Sequence, residues 1–209
     1  MNNFAEELTY WYFRLNGFFL LENYVLHNVG EGTQRGTADA DLLAIRFPYV
    51  YEEVGGQSGD WDENKFSKEW GFDIEKDNLA LIIEVKSERN VKRSDIEKSF
   101  SLERLKTALY RFGIFNKGEV NSICEDLFNK KYEKYETIIG EVFIGKAAVT
   151  EDKKEDHKWL NITLKEINDF VFKRIRSYSR DKYADRMYFP SVLIQYIAWK
   201  DKNRILNDC

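Results

Sequence analysis

The sequence predicts an α/β domain in which helices flank a central mixed β-sheet on both sides, giving three layers. Residues Leu79–Lys86 form the most continuous apolar strand of the chain, which is typical of a central strand covered on both faces. Helical and strand-like segments follow one another along the 209 residues without an internal repeat or a linker. We therefore expect residues 1–209 to form one domain.

The first predicted element is a helix at Phe4–Leu15, where apolar residues recur at the spacing of one helical face. Asn3 is the expected N-cap, and Glu6, three residues later, is its capping-box partner. Asn16 and Gly17 supply a left-handed stop. These signals predict both ends of the helix.

The later elements are predicted from strand alternation, apolar runs and capping signals. A Gly-rich turn at Gly30–Gly36 joins the first two strands, and the acidic stretch at about residues 50–78 is an insertion with little periodicity. The helical C-terminal part, at about residues 163–209, opens with a capping box at Thr163 and Glu166. The other predicted elements are strands at Phe18–Asn28, Ala38–Phe47, Thr137–Ile144 and Trp159–Ile162, and helices at Ser94–Phe112, at Val120–Phe128, from Thr163 toward Ser177 and after Pro190.

The formal net charge of −4 argues against a protein that coats nucleic acid non-specifically, but the charges are unevenly distributed. Basic residues outnumber acidic ones by 8 to 4 in Val85–Arg111 and by 9 to 3 in Lys173–Arg204. Acidic residues outnumber basic ones by 9 to 3 in Glu52–Asp77. Such runs fit either solvated faces or a polyanion-binding side opposite an acidic flap.

Several classes of protein are poorly supported. Cys124 and Cys209 match neither a disulfide framework nor a zinc site, so we expect free thiols and a cytoplasmic protein. No apolar run approaches the roughly 20 residues of a membrane span, so no membrane partner is expected. With two histidines and no phosphate-cradling glycine loop, catalytic triads, histidine-rich metal sites and nucleotide binding are disfavoured. Carboxylate and lysine chemistry remains.

Glu84 and Lys86 are two residues apart on the strongest strand and so share one of its faces. A charged pair directly after an apolar run costs free energy unless it is paired or binds a metal. One interpretation is a salt-bridged pair at a strand end that has no further role. The other interpretation is a functional site.

Asp41 favours the functional interpretation, because it is a carboxylate at the entry of a second apolar strand. If the two strands are neighbours, Asp41 and Glu84 hold one or two divalent cations through oxygen, and Lys86 positions the bound water or helps to deprotonate it. Such a site suits phosphodiester hydrolysis, in which a metal activates water and neutralises charge on phosphate. Asp39 shares the strand face of Asp41 and competes for its role.

Glu7 is a further candidate acid, on the first helix. At about 100° per residue it falls at the edge of the apolar stripe, between Phe4 and Trp11, whereas Glu6 points to the opposite side. A half-buried carboxylate there is explained either by a metal or metal-bound water or by solvation at the rim of the helix.

The order of these elements and acids resembles the PD-(D/E)XK nuclease superfamily, which has the restriction-endonuclease-like fold. The similarity covers roughly residues 3–112: a helix with Glu7, a strand, Asp41 on a second strand, Glu84-Val85-Lys86 on a third, and then a basic helix. Ala40 stands where the name-giving proline precedes the aspartate. The fold expected from this resemblance is a three-layer restriction-endonuclease-like core.

The resemblance implies that Asp41 and Glu84 bind Mg²⁺, for which Mn²⁺ substitutes, and that the Val85 carbonyl adds a ligand. It also implies that Lys86 is catalytic and Glu7 an accessory acid. The implied activity is that of a DNA endonuclease in defence, repair or mobile-element processing, although the same chemistry serves RNA. Cleavage of both strands favours a homodimer.

The basic segment after Lys86 then gains a role, since its side chains are expected to contact phosphates. The candidates are Lys92, Arg93, Lys98, Arg104 and Lys106. The acidic insertion is expected to be a dimer element, a substrate gate or a partner site, because its charge opposes DNA contact.

Two other hypotheses stay open. The first is a fold relative that has kept the acids without using them and binds nucleic acid or a protein through an aromatic surface that includes Trp61, Trp70 and Trp199. The second is an enzyme of another class that uses Glu84 and Lys86 for acid–base work.

Overall fold

The computed structural model describes residues 3–26, 38–88, 90–152, 158–178 and 191–207, so the predicted turn at Gly30–Gly36 lies outside the described part. The helices are α1 (Phe4–Leu15), α2 (Arg93–Ser99), α3 (Leu102–Phe112), α4 (Val120–Phe128), α5 (Leu164–Ser177) and α6 (Val192–Asn207), and a π-helical segment spans Asn64–Glu69. The strands are β1 (Phe19–Leu26), β2 (Ala38–Arg46), β3 (Asn78–Lys86), β4 (Tyr132–Thr137), β5 (Gly140–Thr150) and β6 (Leu160–Thr163).

The six strands form one mixed sheet in the order β1-β2-β3-β5-β4, with β6 also paired to β5. Strand β2 is antiparallel to β1 and β3, whereas β3 is parallel to β5. Helices α1, α5 and α6 pack with the insertion on one face of the sheet, and α2, α3 and α4 cover the other. The predicted α/β fold is therefore confirmed, and the apolar strand β3 lies at the centre of the sheet.

Helix α1 has the boundaries that the sequence predicts. The Asn3 Oδ1 atom accepts a hydrogen bond from the backbone N–H of Glu6 at 3.0 Å, which satisfies one free donor of the first turn. The helix ends before Asn16, and Gly17 has a φ of 82°. A Cβ atom at Gly17 would lie 2.7 Å from Val50 Cγ1, so both the backbone angle and the available space favour glycine.

The single helix predicted at Ser94–Phe112 is wrong, because the chain leaves helical geometry at Phe100 and Ser101. The Phe100 side chain is buried there, and its ring centroid lies 6.2 Å from that of Trp159. The Phe100 ring is therefore buried on the side of the helical layer that faces the sheet, at the position where the helix breaks. The result is two short helices: α2 ends and α3 begins close to the end of β3.

The strand predicted at Thr137–Ile144 has the wrong bounds, since β4 ends at Thr137 and β5 begins at Gly140, so a hairpin turn lies inside the predicted strand. Gly140 has a φ of 91°, and the Thr137 hydroxyl donates to its carbonyl at 2.8 Å, which closes the turn. Strand β4 lies at one edge of the sheet and carries mostly polar side chains. It therefore has no apolar alternation that would distinguish it in the sequence.

The acidic segment Glu52–Asp77 contributes aromatic side chains to the core. Trp61 and Trp70 are buried, so the prediction that they form an exposed aromatic surface is wrong. Two guanidinium groups contact the Trp61 ring, with the Cζ atom of Arg46 5.0 Å and that of Arg174 5.6 Å from its centroid. Each buried ring of this size contributes roughly 1.5–3 kcal/mol through removal of apolar surface from water. The segment is thus part of one helical layer rather than a separate flap.

Lys65 joins this segment to α5. Its side chain is 3% exposed, and its ammonium group lies 2.7 Å from Glu69 Oε2 and 2.6 Å from Glu166 Oε1. Glu166 also completes the predicted capping box with Thr163 at the start of α5. We name these three ionised residues, Lys65, Glu69 and Glu166, the Lys65 cluster.

Two smaller sequence expectations concern the membrane and the thiols. In the described ranges, no helix is long and apolar enough to cross a membrane. Cys124 is a buried free thiol, and its Sγ atom donates to the carbonyl of Leu102 at 3.0 Å. Cys209 lies outside the described residues.

Candidate active site

Asp41 and Glu84 meet where β2 and β3 run side by side at the centre of the sheet. The antiparallel register pairs Leu42 with Ile83, and one further step along both strands places Asp41 opposite Glu84. The Asp41 Oδ2 atom accepts a hydrogen bond from the backbone N–H of Val85 at 2.6 Å. The strand pairing that the sequence argument required is therefore present, and the two carboxylates share the face covered by α2 and α3.

Glu84 is 4% exposed, and within the described residues its carboxylate contacts Ser99, Lys86 and Arg104. Its Oε1 atom accepts from the Ser99 hydroxyl at 2.7 Å and lies 2.6 Å from the Lys86 ammonium. Its Oε2 atom lies 3.4 Å from Arg104 Nη2. We name these five residues, Asp41, Glu84, Lys86, Ser99 and Arg104, the Glu84 cluster. The salt bridge between Glu84 and Lys86 that the structural interpretation predicted is present, but it is one contact among several.

The break between α2 and α3 brings two of these partners to Glu84. Ser99 is the last residue of α2, and Arg104 lies in the first turn of α3. Because the chain turns at Phe100, a side chain from the end of one helix and a side chain from the start of the next both reach the same carboxylate. A continuous helix would point residues five positions apart in directions about 140° from each other.

The Asp41 carboxyl holds its proton more tightly than an ordinary aspartate does, so its pKa is raised. Burial raises its pKa, and so does the like charge of Glu84, while the Val85 N–H and the Lys86 ammonium lower it. Glu6 on α1 adds a further increase, and the resulting pKa is about 7. Burial and the facing Glu84 carboxylate therefore outweigh the Val85 N–H and the Lys86 ammonium in setting this pKa.

Lys86 has the opposite balance. Burial lowers its pKa, but the charge and hydrogen bond of Glu84, with the charge of Asp41, outweigh this, so the pKa is raised above its ordinary value. Lys86 is therefore protonated and positively charged in this arrangement.

Glu7 has a hydrogen-bond partner outside the Glu84 cluster. Its Oε1 atom accepts a hydrogen bond from the Ser191 hydroxyl, just before α6. The α1 carboxylate whose charge acts on Asp41 is Glu6, which also accepts from the Asn3 side chain. Sequence reasoning assigned Glu6 to capping alone, but the first turn of a helix brings a capping residue close to whatever faces that helix end.

Of the five residues predicted to contact phosphates, one belongs to the Glu84 cluster and four lie outside it. Arg104 points inward to Glu84, whereas Lys92 is exposed immediately before α2. Arg93 lies 3.0 Å from Glu97, and Lys98 lies 3.5 Å from Asp95, in ion pairs on the outer surface of α2. Lys106 is half-buried on α3.

Ser99 is the residue of the site that sequence reasoning missed. It lies three positions after the buried Ile96, so it occupies the apolar stripe of α2 as a polar residue. A hydroxyl at such a position needs a hydrogen-bond partner, and this is the signal that could have found it. The identity of the partner, Glu84, depends on the packing of α2 against β3.

Comparison of the chain with protein-family models, with curated proteins and with solved structures finds no match in any of the three. Within the residues that the structure describes, no group of three or more acidic, histidine or cysteine side chains is arranged to hold a metal ion. The acids of the Glu84 cluster are two, Asp41 and Glu84. Function is therefore inferred from the chemistry of this cluster.

Proposed function

We propose that this chain is a metal-dependent nuclease that hydrolyses phosphodiester bonds of DNA at Asp41, Glu84 and Lys86. The observation that carries the proposal is the position of Asp41 opposite Glu84 on two central strands, with an Asp41 pKa of about 7. Carboxylates whose pKa is raised by burial and by a facing like charge are typical of functional sites. The resemblance of the acid pattern to the PD-(D/E)XK superfamily supports the same class of enzyme.

The two carboxylates fit a divalent cation. Mg²⁺ takes oxygen ligands and is usually held by one or two carboxylates together with waters, and Mn²⁺ accepts the same ligands. A cation between Asp41 and Glu84 would relieve the repulsion that raises the Asp41 pKa. We propose Asp41 and Glu84 as its side-chain ligands and the Val85 carbonyl as a further one. When bound, the ion would supply an activated water and neutralise charge on the phosphate.

The other residues of the cluster would prepare the site. Ser99 and Arg104 contact different oxygens of Glu84 and so fix the orientation of its carboxylate. Lys86, protonated beside Glu84, would hold the attacking water and stabilise negative charge near the scissile phosphate. In this arrangement we assign Glu7 to anchoring Ser191, and its role as an accessory acid stays a prediction.

Contacts to the phosphate backbone are proposed for the basic residues beside the site. Arg93 and Lys98 form exposed ion pairs, which are worth about 0–1 kcal/mol, so exchanging Glu97 or Asp95 for a phosphate costs little. Lys92 and Lys106 complete this set. A second copy of the chain would bring a second site to the opposite strand, so we propose a homodimer for cleavage of both strands.

Incubation with supercoiled plasmid and with single-stranded DNA, in Mg²⁺, in Mn²⁺ and in EDTA, tests the proposal. We expect strand cleavage by the wild type in either metal and none in EDTA. Asp41→Asn and Lys86→Ala are expected to lower the rate by about 100-fold or more, because each removes a group that touches the reacting atoms or their metal.

Matched controls are available on the exposed surface. Asp126→Asn and Lys117→Ala make the same chemical changes at exposed positions outside the Glu84 cluster and should cleave like the wild type. Cleavage that survives in EDTA, or that is equal in Asp41→Asn and Asp126→Asn, would contradict the proposed site.

A second candidate function is a catalytically silent module that binds nucleic acid or a protein. The observation in its favour is that both oxygens of Glu84 already have cationic partners, Lys86 and Arg104. This candidate predicts binding without cleavage in every metal, and binding that is unchanged by Asp41→Asn. The same set of variants therefore separates the two functions.

A further inference from the structure

Helix α6 has two apolar faces. Ile194, Ile197 and Ala198 are buried against the helical layer of α1 and α5. Val192, Tyr196 and Trp199 follow the i, i+4, i+7 spacing and lie on the opposite side, with exposed fractions of 80%, 52% and 53%. We name these three residues the α6 stripe. An exposed apolar stripe on a helix that already has a buried face is typical of an interaction site.

The aromatic pair of this stripe is arranged as a stack. The ring centroids of Tyr196 and Trp199 lie 6.2 Å apart, and the ring planes are inclined by only 30°. The Lys200 ammonium lies 6.0 Å from the centroid of Tyr196. Half-exposed aromatic faces next to a cation are the two components with which proteins bind unpaired nucleic-acid bases and their phosphates.

The charge of the sequence segment that includes the stripe favours a polyanion as the occupant. Lys173–Arg204 contains 9 basic and 3 acidic residues, the strongest positive excess noted along the chain. A partner with an apolar surface alone would gain nothing from this charge, whereas a nucleic-acid backbone would gain from each neutralised phosphate. The acidic segment Glu52–Asp77 shows that the chain does not carry positive charge uniformly.

The stripe begins beside the first turn of α1. Ser191, one residue before Val192, donates to Glu7, and the neighbouring Glu6 acts electrostatically on Asp41. At 1.5 Å per residue, Trp199 lies about 12 Å from Ser191 along the axis of α6. The start of the stripe and Asp41 therefore both lie near the first turn of α1.

We propose that the α6 stripe binds the bases of an unpaired nucleic-acid strand, with Tyr196 and Trp199 as the stacking platform and Lys200 as a phosphate contact. This inference deepens the proposed function by naming a single-stranded segment as the form of the substrate. Only that step, calling the bound strand a substrate, rests on the proposed function. Binding itself requires no metal. The test of binding by the α6 stripe and the test of cleavage at the Glu84 cluster can therefore fail independently of each other.

Fluorescence anisotropy in EDTA tests the proposal with two labelled probes, an oligothymidylate of about 12 nucleotides and a duplex of the same length. We expect the wild type to bind the single strand more tightly than the duplex. Trp199→Ala should weaken binding of the single strand by about tenfold, because each stacked base contributes about that factor. Trp199→Phe, which keeps an aromatic face, should recover most of the affinity.

Tyr49→Ala is the matched control, since Tyr49 is an exposed aromatic residue outside α6 and its loss should leave the affinity unchanged. Three results would overturn the proposal: no binding of the single strand, equal binding by Trp199→Ala and the wild type, or tighter binding of the duplex. Light scattering that shows a dimer of the wild type and a monomer of Trp199→Ala would also overturn it, because the stripe would then be an interface between two copies. If Asp41→Asn binds the strand normally but fails to cleave, the stripe and the catalytic site are both supported.

Discussion

The Lys65 cluster and the Glu84 cluster each contain a buried charged side chain, Lys65 in one and Glu84 in the other, and they differ in how their charges are arranged. In the Lys65 cluster one cation lies between two carboxylates, and every contact is between opposite charges. Burial raises the pKa of Glu166, but hydrogen bonds from Lys65 and Thr163 outweigh it and the pKa is lowered. In the Glu84 cluster two carboxylates face each other, and the pKa of Asp41 is raised to about 7.

We interpret this difference as one between a structural role and the proposed functional one. The Lys65 cluster joins the insertion to α5 through contacts between opposite charges, as expected of contacts that serve stability. In the Glu84 cluster, burial and the charge of Glu84 raise the Asp41 pKa, and a cation bound there would stabilise the folded state. The raised pKa of Asp41, rather than burial of charge alone, therefore supports the proposed function.

The largest effect on stability is expected at the Lys65 cluster. Glu166→Ala removes one of two partners of a buried lysine and also the capping box at the start of α5, so the free energy of unfolding should fall by about 3 kcal/mol. Urea denaturation measures it. Asp169→Ala, which removes an exposed ion pair on the same helix, should change stability by less than about 1 kcal/mol. If Glu166→Ala and Asp169→Ala lowered stability equally, the Lys65 cluster would not have the structural role assigned to it.

A smaller effect of the opposite sign is expected at Asp41. Because its pKa is raised in the folded state, the folded protein binds the Asp41 proton more strongly than the unfolded chain does, and stability is lost as the pH rises from about 4 to about 7. Asp41→Asn keeps an oxygen acceptor for the Val85 N–H but removes the charge. In EDTA at pH 8 it should therefore raise the free energy of unfolding by on the order of 2 kcal/mol.

The pH dependence of this gain in the free energy of unfolding shows whether the gain comes from the Asp41 charge. At pH 4 the Asp41 carboxyl is largely protonated in the folded wild type, so Asp41→Asn and the wild type should be nearly equally stable there. Asp126→Asn, at an exposed position, should show no such gain at pH 8. A loss of stability in Asp41→Asn at pH 8 would mean that the Asp41 charge is compensated after all.

Much of the fold could be predicted from the sequence, because its main elements are marked by local signals. The caps and apolar spacing define α1 to the residue, and the apolar run defines β3. Strand β4 was missed because an edge strand needs no apolar face. The break at Phe100 was missed because the sequence there continues a helical pattern, and only packing of its ring against Trp159 marks the end of α2.

The residues of the candidate site differ in the same way: some are marked by the local sequence, and others depend on packing between distant segments. Asp41, Glu84 and Lys86 could be selected from the sequence because polar residues at the ends of apolar strands are conspicuous. The inward direction of Arg104 and the bond from Ser99 could not, since they depend on how α2 and α3 pack against β3. The pairing of Lys65 with Glu166 joins residues 101 positions apart, and no local pattern encodes it.

The most direct test of the central claim, that Asp41 and Glu84 form a metal site, is the effect of Mg²⁺ on the unfolding of wild type and Asp41→Asn at pH 8. A ligand that binds only the folded state stabilises it in proportion to the logarithm of its concentration over its Kd. We predict that saturating Mg²⁺ raises the free energy of unfolding of the wild type by about 2 kcal/mol or more, and that Asp41→Asn gains little. An equal gain in both proteins, or no gain in the wild type, would contradict the claim.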